Sequence, residues 1–154
     1  MLVYGIICLL FAAVVNADCP AGFIQDQYSC YKLFNNTFTW PEATSFCRAF
    51  NTHLLTLEND AELTFIKKKA AEVGGLGFWT AGSDALEENE WIWAETGETL
   101  TLTGDWAPGE PDQTLGKDCL GLWGAHGYLF GSWGCNALLQ PICEISIEEA
   151  LSFG

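Results

Sequence analysis

Two carboxylates flank a proline at Glu110-Pro111-Asp112, and a cation–carboxylate pair, Lys117-Asp118, stands directly before Cys119. Carboxylates gathered on a short stiff loop suit either a hard cation such as calcium or the hydroxyls of a polar ligand. Pro111 stiffens the turn and is a candidate for a cis bond, the rarer X-Pro isomer that tight turns use. Taken alone, Gly109 to Asp112 reads first as a solvated acidic turn. Catalytic chemistry is a poorer fit. No nucleophile–base pair or acid–base couple stands out, and His53 has no carboxylate or nucleophile motif beside it, so the chain does not read as an enzyme.

The elements that must position this turn belong to a chain of 154 residues, enough for one domain with its own core. Met1 to Ala17 reads as a secretory signal peptide: an apolar run from Leu2 to Val15 ends in the small-residue pattern Val15-Asn16-Ala17. That run is shorter than the ~20 residues of an untilted membrane span. No later segment is apolar enough to span, so a secreted, extracellular protein is expected, with residues 18–146 as the domain and 147–154 as a short tail that frays. Of seven cysteines, Cys8 lies in the signal. The remaining six, Cys19, Cys30, Cys47, Cys119, Cys135 and Cys143, form an even set that argues for disulfides, with the connectivity left open. A zinc site fares badly, because no CxxC occurs and His53 and His126 are far apart. The net charge of −14 repels phosphate backbones and anionic membranes, which makes nucleic acid an unfit partner. Lys67-Lys68-Lys69 reads as a solvated helix face.

Along the chain, Cys19 to Phe34 has the look of a hairpin closed by a local Cys19–Cys30 pair. Asn35-Asn36-Thr37 is an N-glycosylation sequon with Asn35 as acceptor. Thr39-Trp40-Pro41-Glu42 predicts a helix start with a capping box, running to about Phe50 with Ala43, Phe46, Cys47 and Phe50 on one face. His53 to Leu55 is a short extended piece. A second helix begins at Asn59, with Glu62 three residues on, and ends at Gly74-Gly75. Short strands are expected at Phe78–Ala81, Trp91–Trp93, Leu100–Leu102, Asp118–Leu122, Tyr128–Phe130 and Pro141–Glu144. Two helices followed by several strands make an α+β domain. Ala94 to Lys117 is long and irregular, a pattern that in compact domains usually carries function.

At this point the chain resembles the C-type lectin-like domain, in wording closest to small secreted invertebrate (arthropod-like) lectins. The resemblance rests on Phe78-Trp-Thr-Ala-Gly-Ser-Asp84, Trp91-Ile-Trp93, Thr96-Gly97, Trp106-Ala-Pro-Gly-Glu-Pro-Asp112, Asp118-Cys-Leu120 and Pro141-Ile-Cys-Glu144, across roughly Cys19 to Glu144. It implies a double-loop fold of two helices and short antiparallel strands. It also implies the pairing Cys19–Cys30, Cys47–Cys143 and Cys119–Cys135, with calcium and sugar bound on the long loop. Glu110 and Asp112 match the x-Pro-x calcium ligands of the family. Lys117 stands where the family carries Glu, and Phe130-Gly131-Ser132 replaces its Trp-Asn-Asp. Calcium takes roughly 6–8 oxygen ligands, so the primary site is short of a cage and calcium there is absent or weakly held. Lys117 is expected to replace the metal by bridging Glu110 and Asp112, with Ser132 supplying a remaining hydroxyl. Two acceptors and no amide donor leave the sugar preference undecided. Asp84, Glu88 and Asp118 fall at the family's auxiliary calcium site, or form an exposed acidic rim. The implied partners are glycans on microbial or cell surfaces. A protein ligand gripped by the loop and by Trp123 and Trp133 is the alternative.

Overall fold

The computed structural model describes residues 19–102 and 105–153; the segment expected to be a signal peptide lies outside them. A hairpin opens the domain, β1 (Ile24–Asp26) paired antiparallel with β2 (Ser29–Leu33). Helix α1 (Trp40–Arg48) follows, and the capping box is present in both directions between Thr39 and Glu42. Such a cap satisfies two amides that the first turn would otherwise leave unpaired. After β3 (His53–Leu54) comes α2 (Asp60–Val73), capped by Asn59 and stopped by Gly74 at φ 78°. Glu62 does not return the cap. Its carboxylate turns inward to accept from Glu58 N at 2.8 Å and Tyr31 Oη at 2.5 Å.

Strands β4 (Gly77–Ser83), β5 (Ile92–Trp93), β6 (Cys119–Trp123), β7 (Leu129–Trp133) and β8 (Gln140–Ser146) complete the sheet. Its order is β1-β2-β8-β4-β6-β7, with β3 on β8 and β5 on β4. All pairs are antiparallel except β4–β8, which runs parallel, a departure from the all-antiparallel expectation. Every residue of β4 is buried, which explains its unbroken Phe-Trp-Thr-Ala run. Gly82 is required there, since a Cβ would stand 2.5 Å from Leu120 Cδ2. Phe78, Trp79, Leu120, Leu122, Phe130 and Ile142 are fully buried and join α1 and α2 to the sheet. Truncating Phe78 or Trp79 to alanine would cost ~3–5 kcal/mol.

Three expectations need correction. Leu100–Leu102 forms no strand, although Leu100 and Leu102 are buried as anchors of the long loop. The segment expected to fray is a third helix, α3 (Ile147–Ser152), because Ser146 and Glu149 make a second capping box. Phe50 lies in the turn beyond α1 rather than on its buried face, and is 49% exposed. The three disulfides Cys19–Cys30, Cys47–Cys143 and Cys119–Cys135 are all formed, the second tying α1 to β8 across 96 residues.

Candidate functional site in the long loop

The chain between β5 and β6 is irregular but pinned. Trp106 packs edge-on against Trp91 and Phe130, with ring centroids 5.2 and 5.7 Å away. Phe130 N donates to Asp105 O, and Ala107 N donates to Phe130 O, each at 2.8 Å. Lys67 of α2 reaches Asp105 at 3.7 Å. The turn at Glu110 therefore starts from a fixed base, and its Glu110–Pro111 bond is cis.

Glu110 Oε2 accepts three hydrogen bonds: from Ser132 Oγ at 2.6 Å, Ser132 N at 2.9 Å and Asp112 N at 2.9 Å. Among the described residues no donor reaches Glu110 Oε1. Asp112 is engaged on both oxygens. Its Oδ1 accepts from Thr114 N at 3.0 Å and Thr114 Oγ1 at 2.5 Å, and its Oδ2 accepts from Lys117 Nζ. The bond from Lys117, with the Thr114 donors adding, holds the Asp112 carboxyl down at about 2; the same bond pushes the Lys117 ammonium up. The ion pair is thus ionised across the whole physiological range.

The expected bridge is corrected in one respect. The Lys117 ammonium pairs with the Asp112 carboxylate alone, while the Ser132 hydroxyl donates to the Glu110 carboxylate and accepts from Asp112 N. The division follows from position: Ser132 lies on β7 beneath the turn and is 5% exposed, whereas Lys117 rises from the loop before β6. Thr114 is the site residue that sequence reading missed. Its signal was the Asp112-x-Thr114 spacing, which lets a carboxylate bond the backbone two residues on.

This donor set does not fit calcium. One carboxylate oxygen of Glu110 and both of Asp112 are taken, and the Lys117 ammonium stands where a third carboxylate would be needed. Gly131 cannot be restored to the family's asparagine freely either. A Cβ there would stand 3.2 Å from Trp133 Nε1 and 3.4 Å from Trp123 Cε3. Those two indoles pack edge-to-face at 5.5 Å and are half-buried, so they serve the sheet rather than standing out as a gripping surface.

The auxiliary set is not assembled. Asp84 is buried, its Oδ2 accepts from Asn89 N at 3.0 Å, and its Oδ1 has no partner. Burial pushes its carboxyl up, with Asp118 adding to the effect. Asp118 meets Asp84 through backbone, its carbonyl accepting from Ser83 Oγ and Asp84 N. Glu88 is exposed. Among the described residues no group of three acidic, histidine or cysteine side chains converges in a way that would hold a metal.

Fold and loop together define a domain class, and comparison with known proteins names it. The Lectin C-type domain family matches residues 36–145, and the chain belongs to it. Perlucin of Haliotis laevigata is 33% identical over 129 residues, 82% of this chain and 82% of its own. The carbohydrate-recognition domain of the mouse scavenger receptor C-type lectin superposes with a TM-score of 0.75 at 28% identity, over 83% of this chain and 96% of that one. SPL-1, solved as a GlcNAc complex, gives 0.74 at 25% identity, over 83% and 95%.

Proposed function

We propose that the protein is a secreted, non-enzymatic lectin that recognises glycans through the long loop without calcium, using Glu110 and Lys117 as the contact pair. The observation that carries this is the division of the loop's oxygens. Glu110 Oε1 is left to accept, while the Lys117 ammonium, steadied by Asp112, keeps donors to spare. An acceptor and a cationic donor side by side can engage neighbouring hydroxyls of a sugar, the task that calcium performs in other members. Asp112, Thr114 and Ser132 fix the two groups in place. The sugar-bound and sugar-recognising neighbours support glycans as the ligand class; glycans at microbial or cell surfaces are the partners proposed. The disulfides support an oxidising compartment, and no helix among the described residues is long and apolar enough to cross a membrane.

A protein ligand is the second reading, with Leu115, 85% exposed on the same loop, as the apolar side chain such a partner would cover. A glycan array probed with and without chelator separates the outcomes. Chelator-insensitive binding that is lost in Glu110→Gln supports the proposal. Chelator-sensitive binding contradicts its calcium-free part, and no binding to any glycan favours the protein ligand.

A further inference from the structure

The connection from β2 to α1, one flank of α1 and the turn beyond it together carry an aromatic cluster that the recognition loop does not use. Phe46 packs edge-on against Phe34 at 4.8 Å and stacks on Phe38 at 4.6 Å; Phe50 lies 5.1 Å from Phe46 and 5.7 Å from Phe34. Phe50 is half exposed, and beside the cluster lies a shallow, open, mostly apolar patch bounded by Phe38, Pro41, Glu42, Ser45 and Phe46. The sequon sits between two of these rings, since Phe34 precedes Asn35 and Phe38 follows Thr37. Both ends of that turn are tied down. Phe34 N donates to Pro141 O, and Phe38 exchanges backbone bonds with Leu139. Asn35, Asn36 and Thr37 are all exposed. The acceptor is therefore presented on a fixed turn, one residue from an aromatic ring.

We propose that Asn35 carries an N-linked glycan whose first N-acetylglucosamine lies against Phe50, the exposed ring of the Phe34–Phe46–Phe50 cluster. The hexose ring offers an apolar C–H face and its acetyl methyl to the aromatic rings, while its hydroxyls face water and the polar rim of Glu42 and Ser45. The covalent link supplies the occupant at high effective concentration, so a weak stacking contact suffices. The aromatic cluster is then covered by the chain's own carbohydrate rather than exposed to other molecules. Nothing in this depends on the loop at Glu110.

The test is the full chain secreted from eukaryotic cells fed 13C-labelled N-acetylglucosamine. Intact mass and peptide mapping should show carbohydrate at Asn35, absent in Thr37→Ala. The acetyl methyl resonance of the first sugar should lie upfield of its free-glycan position, through ring currents, and return toward it in Phe50→Ser. Removing the glycan should lower Tm by about 2–4 °C in wild type and by less in Phe50→Ser. An unoccupied sequon overturns the proposal, as does an occupied one whose methyl resonates at the free position. If Phe50→Ser fails to fold, the wild-type chemical shift decides alone.

Discussion

Ser132 Oγ donates to Glu110 Oε2 at 2.6 Å, across 22 residues of chain, and so ties the cis-proline turn to the buried strand β7. Ser132→Ala should remove this bond and the one that Ser132 Oγ accepts from Asp112 N at 2.8 Å, while leaving the two backbone donors to Glu110 Oε2. Asp112 N keeps Glu110 Oε2 as its acceptor, so the net loss is close to one partly buried hydrogen bond, about 1 kcal/mol. The expected result is a Tm lowered by roughly 2–4 °C, with glycan affinity reduced several-fold, read by thermal unfolding and by calorimetry.

Reversing the charge at Lys117 should change the character of the loop. Lys117→Glu removes the ammonium from Asp112 and places a third carboxylate beside Glu110 and Asp112. Calcium should then bind with saturable heat and stabilise the variant, raising Tm with metal concentration. A variant indifferent to calcium would show that the metal is excluded by more than Lys117.

Acid should leave the loop intact. Because the folded Asp112 carboxyl lies at about 2, below its unfolded value of 3.8, the stability it contributes is present above the unfolded value and is lost progressively as pH falls from there through about 2. Glycan binding measured by surface plasmon resonance should therefore persist at pH 4. Loss of binding near pH 5 would point to another titrating group.

A buried acid cluster should set the opposite trend at neutral pH. Glu144 on β8 lies in register with Tyr31 of β2 and His53 of β3, accepts from Thr56 N at 3.0 Å, and feels Glu62 of α2. Desolvation pushes its carboxyl up to about 7, with Glu62 adding and the Thr56 bond and His53 opposing. A raised acid contributes stability that is fully present below its unfolded value, near 4.5, and is lost as pH rises through about 7. Denaturant unfolding should show stability declining by up to a few kcal/mol between pH 5 and 8, with the decline flattened in Glu144→Gln.

Much of this was legible in the chain itself. Thr39-x-x-Glu42 and the Phe-Trp-Thr-Ala run each encode a local constraint and formed as expected; the six cysteines announced disulfides, but their pairing was legible only through the family resemblance. Glu110, Asp112, Lys117 and Ser132 were identifiable as a group because the family motif fixes where they stand. Their partnering was not. Which carboxylate takes Lys117 depends on Ser132 lying beneath the turn, a contact that no local pattern records. The Tyr31–Glu62–Glu144 cluster was equally hidden, since Glu62 occupies a capping position that in isolation would have turned it outward. The Ser146–Glu149 box was there to be read, and its helix was missed because so short a segment has little periodicity.

The most direct test of the calcium-free loop is an isothermal calorimetric titration of the wild-type protein with calcium, followed by the same glycan in excess chelator. The account predicts no saturable calcium heat at the loop and an unchanged glycan affinity. Saturable calcium binding that disappears in Glu110→Gln, with glycan binding lost in chelator, would contradict it.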